Sequence, residues 1–161
     1  MVDIEIKTDT QKFKYRVNGI VIKNNKLLTL RMKNNTSYCL PGGHIEFGEN
    51  SKAAIYREML EELNTNVLID KEFAVVENFY TDKNNLQTHE ISFYYIVKPD
   101  NFAKIPLHDY STEEIDKGEL KQHNFVWLDL DKLNEYDFQP LFIKEKIVNN
   151  NLNFEHIIVK E

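Results

Sequence analysis

The chain has one cysteine, one tryptophan, five glycines and four prolines in 161 residues, and no apolar run long enough to cross a bilayer. Each scarcity excludes something. A lone cysteine, Cys39, has no partner for an internal disulfide, so the fold must rest on burial and hydrogen bonding, as suits a reducing compartment. Between Tyr38 and Leu40 it reads as a small buried hydrophobe rather than a nucleophile. Without about 20 consecutive apolar residues no transmembrane helix is expected. The opening Met-Val-Asp-Ile-Glu-Ile also lacks the basic-then-apolar layout of a secretory signal, so the expected location is cytoplasmic. Positive charge is short as well: 20 Lys and Arg against 26 Asp and Glu leave a formal charge of −6. Sequence-independent grip on nucleic acid needs many cations to displace counterions from phosphates, so nucleic acid is not the expected partner, and an anionic ligand would need a metal escort. Nothing in the pattern decides oligomeric state, and a homodimer stays open.

The few chain-breaking residues are not spread evenly. Of the nine glycines and prolines, Pro41, Gly42, Gly43 and Gly48 fall within residues 41–48, which confines that stretch to turns. Elsewhere, 42% hydrophobic residues with ten Phe and eight Tyr can fill one core, and the length suits a single domain over residues 1–161. Strands are expected at Lys14 to Ile22 and Lys26 to Met32, forming a hairpin across Asn24-Asn25, because Asn accepts positive φ. Further extended segments run from Val67 to Tyr80, His89 to Val97 and Phe125 to Leu130. A second helix is expected from Gln139 or Pro140 to Asn149. Phe154 to Val159 reads as an edge strand or short helix. Helices placed among strands give an α/β class.

After the glycine turn comes a segment with two-sided chemistry. From about Lys52 to Leu63, with Ser51 as expected N-cap and Asn64 as the helix stop, Glu58, Glu61 and Glu62 fall within an arc of roughly 100°. Ala53, Ile55, Tyr56, Met59, Leu60 and Leu63 collect on the opposite face, as an amphipathic helix requires. Three like charges so placed repel one another unless a cation sits between them. Mg²⁺ or Mn²⁺, hard ions that prefer oxygen, suit such ligands.

Gly43, Glu49, Arg57, Glu58, Glu61 and Glu62, at these spacings, resemble the Nudix box. Asn64 replaces the family's glycine and Thr65 its aliphatic residue; Asn is the usual non-glycine choice at positive φ, so the helix stop is preserved. The box covers about a seventh of the chain, and Glu46 extends the likeness into the Pro-Gly-Gly-x-x-Glu-x-Gly-Glu opening of many members. The resemblance implies a Nudix-type α/β/α sandwich with a mixed sheet. It also implies metal-dependent hydrolysis of a pyrophosphate bond in a nucleoside diphosphate linked to another group, such as another nucleotide, a nucleotide-sugar like ADP-ribose, or an oxidised nucleoside triphosphate. Carried over by position, Glu58, Glu61, Glu62 and the Gly43 carbonyl are the expected metal ligands, and Glu49 and Arg57 are expected to pair and tie the loop to the helix. The catalytic carboxylates implied are Glu58 and Glu61, joined by an acid from the segment Asp109 to Gln122: Glu119 heads a group that includes Glu113, Glu114 and Asp116. That segment is long for a structureless connection, which fits either a functional loop or a solvated acidic one.

Other residues admit two readings. Arg31 is a phosphate fork or a surface arginine. Glu90, in an apolar and aromatic strand, faces a substrate hydroxyl, a metal or solvent. Tyr38, Phe79, Tyr80 and Tyr94 stack on a base or fill the core; Tyr38 joins Arg31, Glu46 and Glu90 as a candidate substrate contact. His44 and His89 lack the paired spacing of a zinc site. Rival functions are a nucleotide-sensing module without turnover, a pyrophosphohydrolase of RNA 5′ ends, and a structural divalent-ion site on an unrelated domain. Specificity is expected in Thr81 to Thr88 and Phe102 to His123.

Overall fold

A computed structural model describes residues 2–32, 36–116 and 118–160, with Asp116 described in its backbone alone. Among these residues the strands form two sheets. In the first, β1 (Glu5–Lys7), β2 (Gln11–Ile20), β8 (Gln87–Pro99), β7 (Val67–Thr81) and β11 (Glu155–Lys160) lie in that order, and β6 (Gly42–His44) also pairs with β2. It is mixed: β2 runs parallel to β8 and β11 parallel to β7, while β7 and β8 are antiparallel. The second sheet is antiparallel, ordered β3 (Ile22–Lys23), β4 (Lys26–Arg31), β10 (Glu119–Asp129) and β9 (Tyr110–Asp116), with β5 (Tyr38–Cys39) on β4.

Helix α1 (Ser51–Leu63) covers one face and α2 (Leu141–Val148) the other. Ile55, Met59 and Leu63 pack with Val17, Tyr95 and Val97, whereas Ile143 and Ile147 pack with Ile20, Phe73, Val76 and Tyr94. Each such fully buried aliphatic side chain contributes roughly 1.5–3 kcal/mol. The sandwich expected from the resemblance is therefore present, with its sheet layer divided in two.

The division begins at Val21. The expected single strand from Lys14 to Ile22 is split there, because the Val21 carbonyl accepts from Leu28 N–H and commits Ile22 and Lys23 to the second sheet. The Asn24-Asn25 hairpin forms as read, both residues at positive φ (51° and 59°). Two further expectations need correction. The helix N-cap is Asn50, whose side chain accepts from Lys52 and Ala53 N–H, while the Ser51 hydroxyl bonds the Tyr95 hydroxyl instead. Ala53, Tyr56 and Leu60 are exposed rather than packed; the buried arc runs through Ala54, Ile55, Met59 and Leu63 and takes in Glu58 and Glu62. At the other end Asn64 adopts φ 53° and stops the helix in left-handed geometry, as its side chain allows.

The largest difference lies at Asp109 to Gln122. Read as a loop, it is mostly a hairpin: β9 and β10 stay in register from Tyr110↔Phe125 to Glu119↔Asp116, with Gly118 in the turn. Alternation puts Glu114 on the half-buried face with Tyr110 and Thr112, and Glu113 on the exposed face with Ser111 and Ile115, which charge density alone does not disclose. The tail from Glu155 resolves as a strand. No helix among the described residues is long and apolar enough to cross a membrane.

Candidate active site

The glycine turn lies against the acidic face of α1 because two of its residues have no side chain. Gly42 sits at φ 142°, where an added Cβ would strike the Val17 carbonyl and Asn18. At Gly43 an added Cβ would occupy the place of the Glu58 carboxylate. The turn is fastened by hydrogen bonds: Gly42 N–H donates to Glu62 Oε2 at 2.9 Å.

Arg57 is the second fastening. Its Nη2 and Nε donate to the two oxygens of Glu49 at 2.6 and 3.3 Å, and Nη2 also reaches the His44 carbonyl at 2.9 Å. Its Nη1 bridges Glu58 Oε1 at 2.8 Å and Glu61 Oε2 at 3.0 Å. The expected Glu49–Arg57 pair thus exists as a planar two-point contact, a geometry unavailable to lysine. Burial works against ionisation of Glu49, but the Arg57 hydrogen bonds and the Glu46 N–H bring its pKa below the ordinary value. Glu46 lies in the same cluster, 3.8 Å from Arg57 Nε.

Glu58 and Glu62 are buried, at 8% and 4% exposure, and Glu61 is not. Burial pushes the Glu58 carboxyl up to about 7 despite Arg57, with Glu61 and Glu114 adding repulsion. Glu62 is raised well above its ordinary value by burial first and the charge of Glu58 second. Two carboxylates have been taken out of water side by side with less positive charge than they need.

From the hairpin comes Glu114, whose Oε2 lies 2.8 Å from His123 Nε2, while His123 Nδ1 lies 3.6 Å from Glu62 Oε1. Thr112 donates from the same face to the Glu62 carbonyl at 2.7 Å. Glu119 does not join them. It is exposed and two residues beyond Lys121 toward the hairpin tip, a displacement of about 7 Å along a strand. Glu113 points outward, and the Asp116 side chain lies outside the described residues. Among the described side chains of the segment, the acid brought to the site is Glu114.

These groups wall a cavity of about 370 Å³ that also takes in Asp3, Arg16, His44 and Lys121. A second cavity of about 500 Å³ adjoins it, sharing Arg16, Cys39 and Leu40. Burial pushes the Cys39 thiol up to about 11, which agrees with the inert reading. Glu90 and Tyr94 line the second cavity with Tyr80 and Asn78. Arg31 lines neither: it lies over the Tyr38 ring, 5.7 Å from its centroid, and 4.0 Å from Asp109. Tyr38 packs edge-on to Tyr136 and is likewise outside both. Phe79 stacks on His89 at 4.2 Å, on a different part of the sheet.

The family model of the NUDIX domain matches residues 12–146. The chain belongs to the Nudix family. A curated relative, an ADP-ribose pyrophosphatase of Methanocaldococcus jannaschii, is 34% identical over 84 residues, a stretch covering 50% of this chain and 48% of the relative. The chain thus matches about half the length of that protein. Among solved structures, a Nudix hydrolase from Nitrosomonas europaea aligns with a TM-score of 0.57 at 17% identity, over 97% of this chain and 82% of that one. A MutT protein from Bacillus halodurans gives 0.55 at 16%, over 84% and 82%. An ADP-ribose pyrophosphatase from Streptococcus suis gives 0.51 at 12%, over 90% and 98%. At these identities the structural likeness speaks for the fold.

Nudix hydrolases generally use divalent metal ions, and the residues here can be tested against one. Among the described residues no three acids, histidines or cysteines converge to hold an ion; Glu61 Oε2 is engaged by Arg57 and its side chain is 40% exposed. The donors nevertheless fit a hard dication. Glu58 and Glu62 are hard oxygen ligands crowded in a buried place, and burial, with neighbouring carboxylates adding to it, raises both above the ordinary range. The bare Gly43 leaves the Glu58 carboxylate its room. Sequence reasoning missed Arg16 and His123. The alternation Lys14, Arg16, Asn18 along β2 was a signal for the first; the second needed the register of the hairpin.

Proposed function

We propose that this Nudix protein hydrolyses a phosphoanhydride bond in a nucleoside diphosphate linked to another group, with Mg²⁺ or Mn²⁺ as the ion and ADP-ribose as the first substrate to test. The observation that carries the reading is the buried pair Glu58 and Glu62 lining a cavity that shares Arg16, Cys39 and Leu40 with an adjoining one of about 500 Å³. Uncompensated buried carboxylates destabilise a fold unless a ligand repays them. The relative named an ADP-ribose pyrophosphatase supports the choice of substrate.

In this reading Glu58, Glu61, Glu62 and the Gly43 carbonyl would hold the ion. When bound, the ion supplies neutralisation of phosphate charge and acidification of water. Arg57, fixed by Glu49, sets where Glu58 and Glu61 stand. Glu58 takes the proton of the attacking water, since it lies in the cavity and Glu119 does not. His123, paired with Glu114, stands beside the Glu62 oxygen that Gly42 does not engage.

The test is hydrolysis of ADP-ribose, dinucleoside polyphosphates, oxidised and ordinary nucleoside triphosphates, and triphosphorylated RNA, each with Mg²⁺, Mn²⁺ or EDTA. Metal-dependent release of a nucleoside monophosphate supports the proposal. Tight binding without cleavage of any of them would replace it with the sensor reading, and cleavage confined to RNA with the 5′-end reading.

A further inference from the structure

One face of the mixed sheet carries polar side chains beyond the acid cluster, with Arg16 alone of them also in the wall of the acidic cavity. Lys14 pairs with Glu90, Arg16 with Ser92 and Asn18 with Tyr94 across β2 and β8, and β7 sets Asn78 beside Glu90. Lys14, Arg16, Asn18, Asn78, Glu90 and Tyr94 all line the cavity of about 500 Å³, within the range of small-molecule sites.

Most of this polar floor is internally satisfied. Glu90 accepts from the Ser92 hydroxyl at 2.8 Å and the Tyr80 hydroxyl at 3.2 Å, with the Lys14 ammonium 3.6 Å away. Two atoms are left over. Arg16 Nε, a donor, and Asn78 Oδ1, an acceptor, are buried without a hydrogen-bond partner. Orphaned buried polar atoms are rare in folded proteins and call for an explanation. These two line the same cavity, and Arg16 also belongs to the wall of the acidic one. The floor holds two cations, Lys14 and Arg16, against one carboxylate, Glu90, in a chain whose overall charge is −6. Arg31, the arginine that the sequence offered for phosphate, stands elsewhere beside Asp109.

We infer that Arg16, at the neck between the two cavities, binds a phosphate oxygen of the substrate, and that Asn78 accepts from an N–H or O–H of the organic group which that phosphate carries into the larger cavity. A guanidinium matches phosphate oxygens in plane and number of donors. Its place at the neck fixes which end of a diphosphate enters which cavity: the organic group goes to the polar floor and the scissile bond stays over the carboxylates. The inference rests on the proposed reading of the acid cluster, but its first test needs neither metal nor turnover.

That test is equilibrium binding in EDTA of AMP, GMP and UMP, each against its nucleoside, to the wild type and to Arg16→Gln, Arg16→Lys and Asn78→Leu. At least one monophosphate should bind the wild type about tenfold tighter than its nucleoside, corresponding to one charge-assisted contact. Arg16→Gln should abolish that advantage, Arg16→Lys should keep part of it, and Asn78→Leu should weaken nucleoside and monophosphate alike while preserving their ratio. No binding of any monophosphate, equal affinity for monophosphate and nucleoside, or a preference that survives Arg16→Gln would overturn the inference. Should Arg16→Gln fail to fold by thermal melting, the wild-type ratio and Arg16→Lys decide. With an active enzyme, Arg16→Gln should raise KM about tenfold with little change in kcat, the mark of a binding contact. An Arg16-dependent preference in a protein that cleaves nothing would sink the hydrolase reading alone; cleavage indifferent to Arg16 would sink this one alone.

Discussion

The backbone N–H of Gly42 donates to Oε2 of Glu62 at 2.9 Å, so the turn before α1 and an acid near the end of that helix hold each other in place. The other oxygen of Glu62 lies 3.6 Å from His123 Nδ1. This carboxylate is positioned from two sides by groups of the chain itself, and substitutions around it should separate positioning from charge.

Glu62→Gln keeps an acceptor for Gly42 and removes the charge. Turnover should fall by about two orders of magnitude or more, the scale expected when a group that stabilises the transition state is lost. The melting temperature of the metal-free protein at pH 8 should hold or rise, because an isosteric amide avoids burying an ion. Kinetics and calorimetry on one preparation check both halves; unchanged turnover would remove Glu62 from the site.

The raised carboxyls set a pH dependence of stability. A carboxyl whose folded pKa exceeds its unfolded value binds more protons folded than unfolded between the two, so stability declines as pH rises through that window. For Glu58 the window runs from its ordinary 4.5 to about 7, and Glu62 acts in the same direction. Glu49 and Glu90 are shifted downward, and their contribution is lost only as pH falls below the ordinary carboxylate range. Metal-free protein should therefore soften between pH 5 and 7.5, and Mg²⁺ should raise the melting temperature more at pH 7.5 than at pH 5. Equal metal stabilisation at both values would count against these carboxyls as the ligands.

Arg57→Lys should be costly although it preserves charge. One ammonium cannot serve Glu49 twice while bridging Glu58 and Glu61, and hydrogen bonds to charged groups contribute about 1.5–3 kcal/mol each. The expected result is a loss of roughly 2 kcal/mol in denaturant unfolding, with a drop in kcat exceeding the change in KM. Wild-type stability and kcat in this variant would show that the fork shape is immaterial.

Glu119 and Glu114 separate the sequence reading from the structural one. Glu119→Gln, at the exposed hairpin tip, should leave kcat within about twofold of wild type. Glu114→Gln, beside His123 and the acidic cavity, should lower it clearly. The opposite order would restore the acid favoured by sequence alone.

What could be read in advance was local. The shared sector of Glu58, Glu61 and Glu62 follows from helical spacing, although Glu58 and Glu62 lie within the buried arc rather than opposite it, and the Arg57–Glu49 pair implied by the Nudix resemblance is present as a two-point contact. The Asn50-Ser51 pair misled because both residues cap well and the choice turned on Tyr95, 44 residues away, claiming the serine. Tyr56 and Leu60 are apolar by type yet exposed, since the neighbouring sector is filled by Ala54 and the two buried acids. Arg16, Asn78, Glu114 and His123 belong to different strands, and only pairing register brings them near one another. A run of acids reads as solvated until the partner strand is known.

The ladder from Tyr110 to Phe125 has a further consequence for anyone wishing to retune this protein. A ribbon offers designers a two-step grammar: changes at Thr112, Glu114, Lys121 and His123 speak to the chamber, while those at Glu113, Leu120 and Gln122 speak to bulk water. An unstructured strap would have blurred the two vocabularies, whereas here selectivity and solubility can be edited on alternate letters of the same few words.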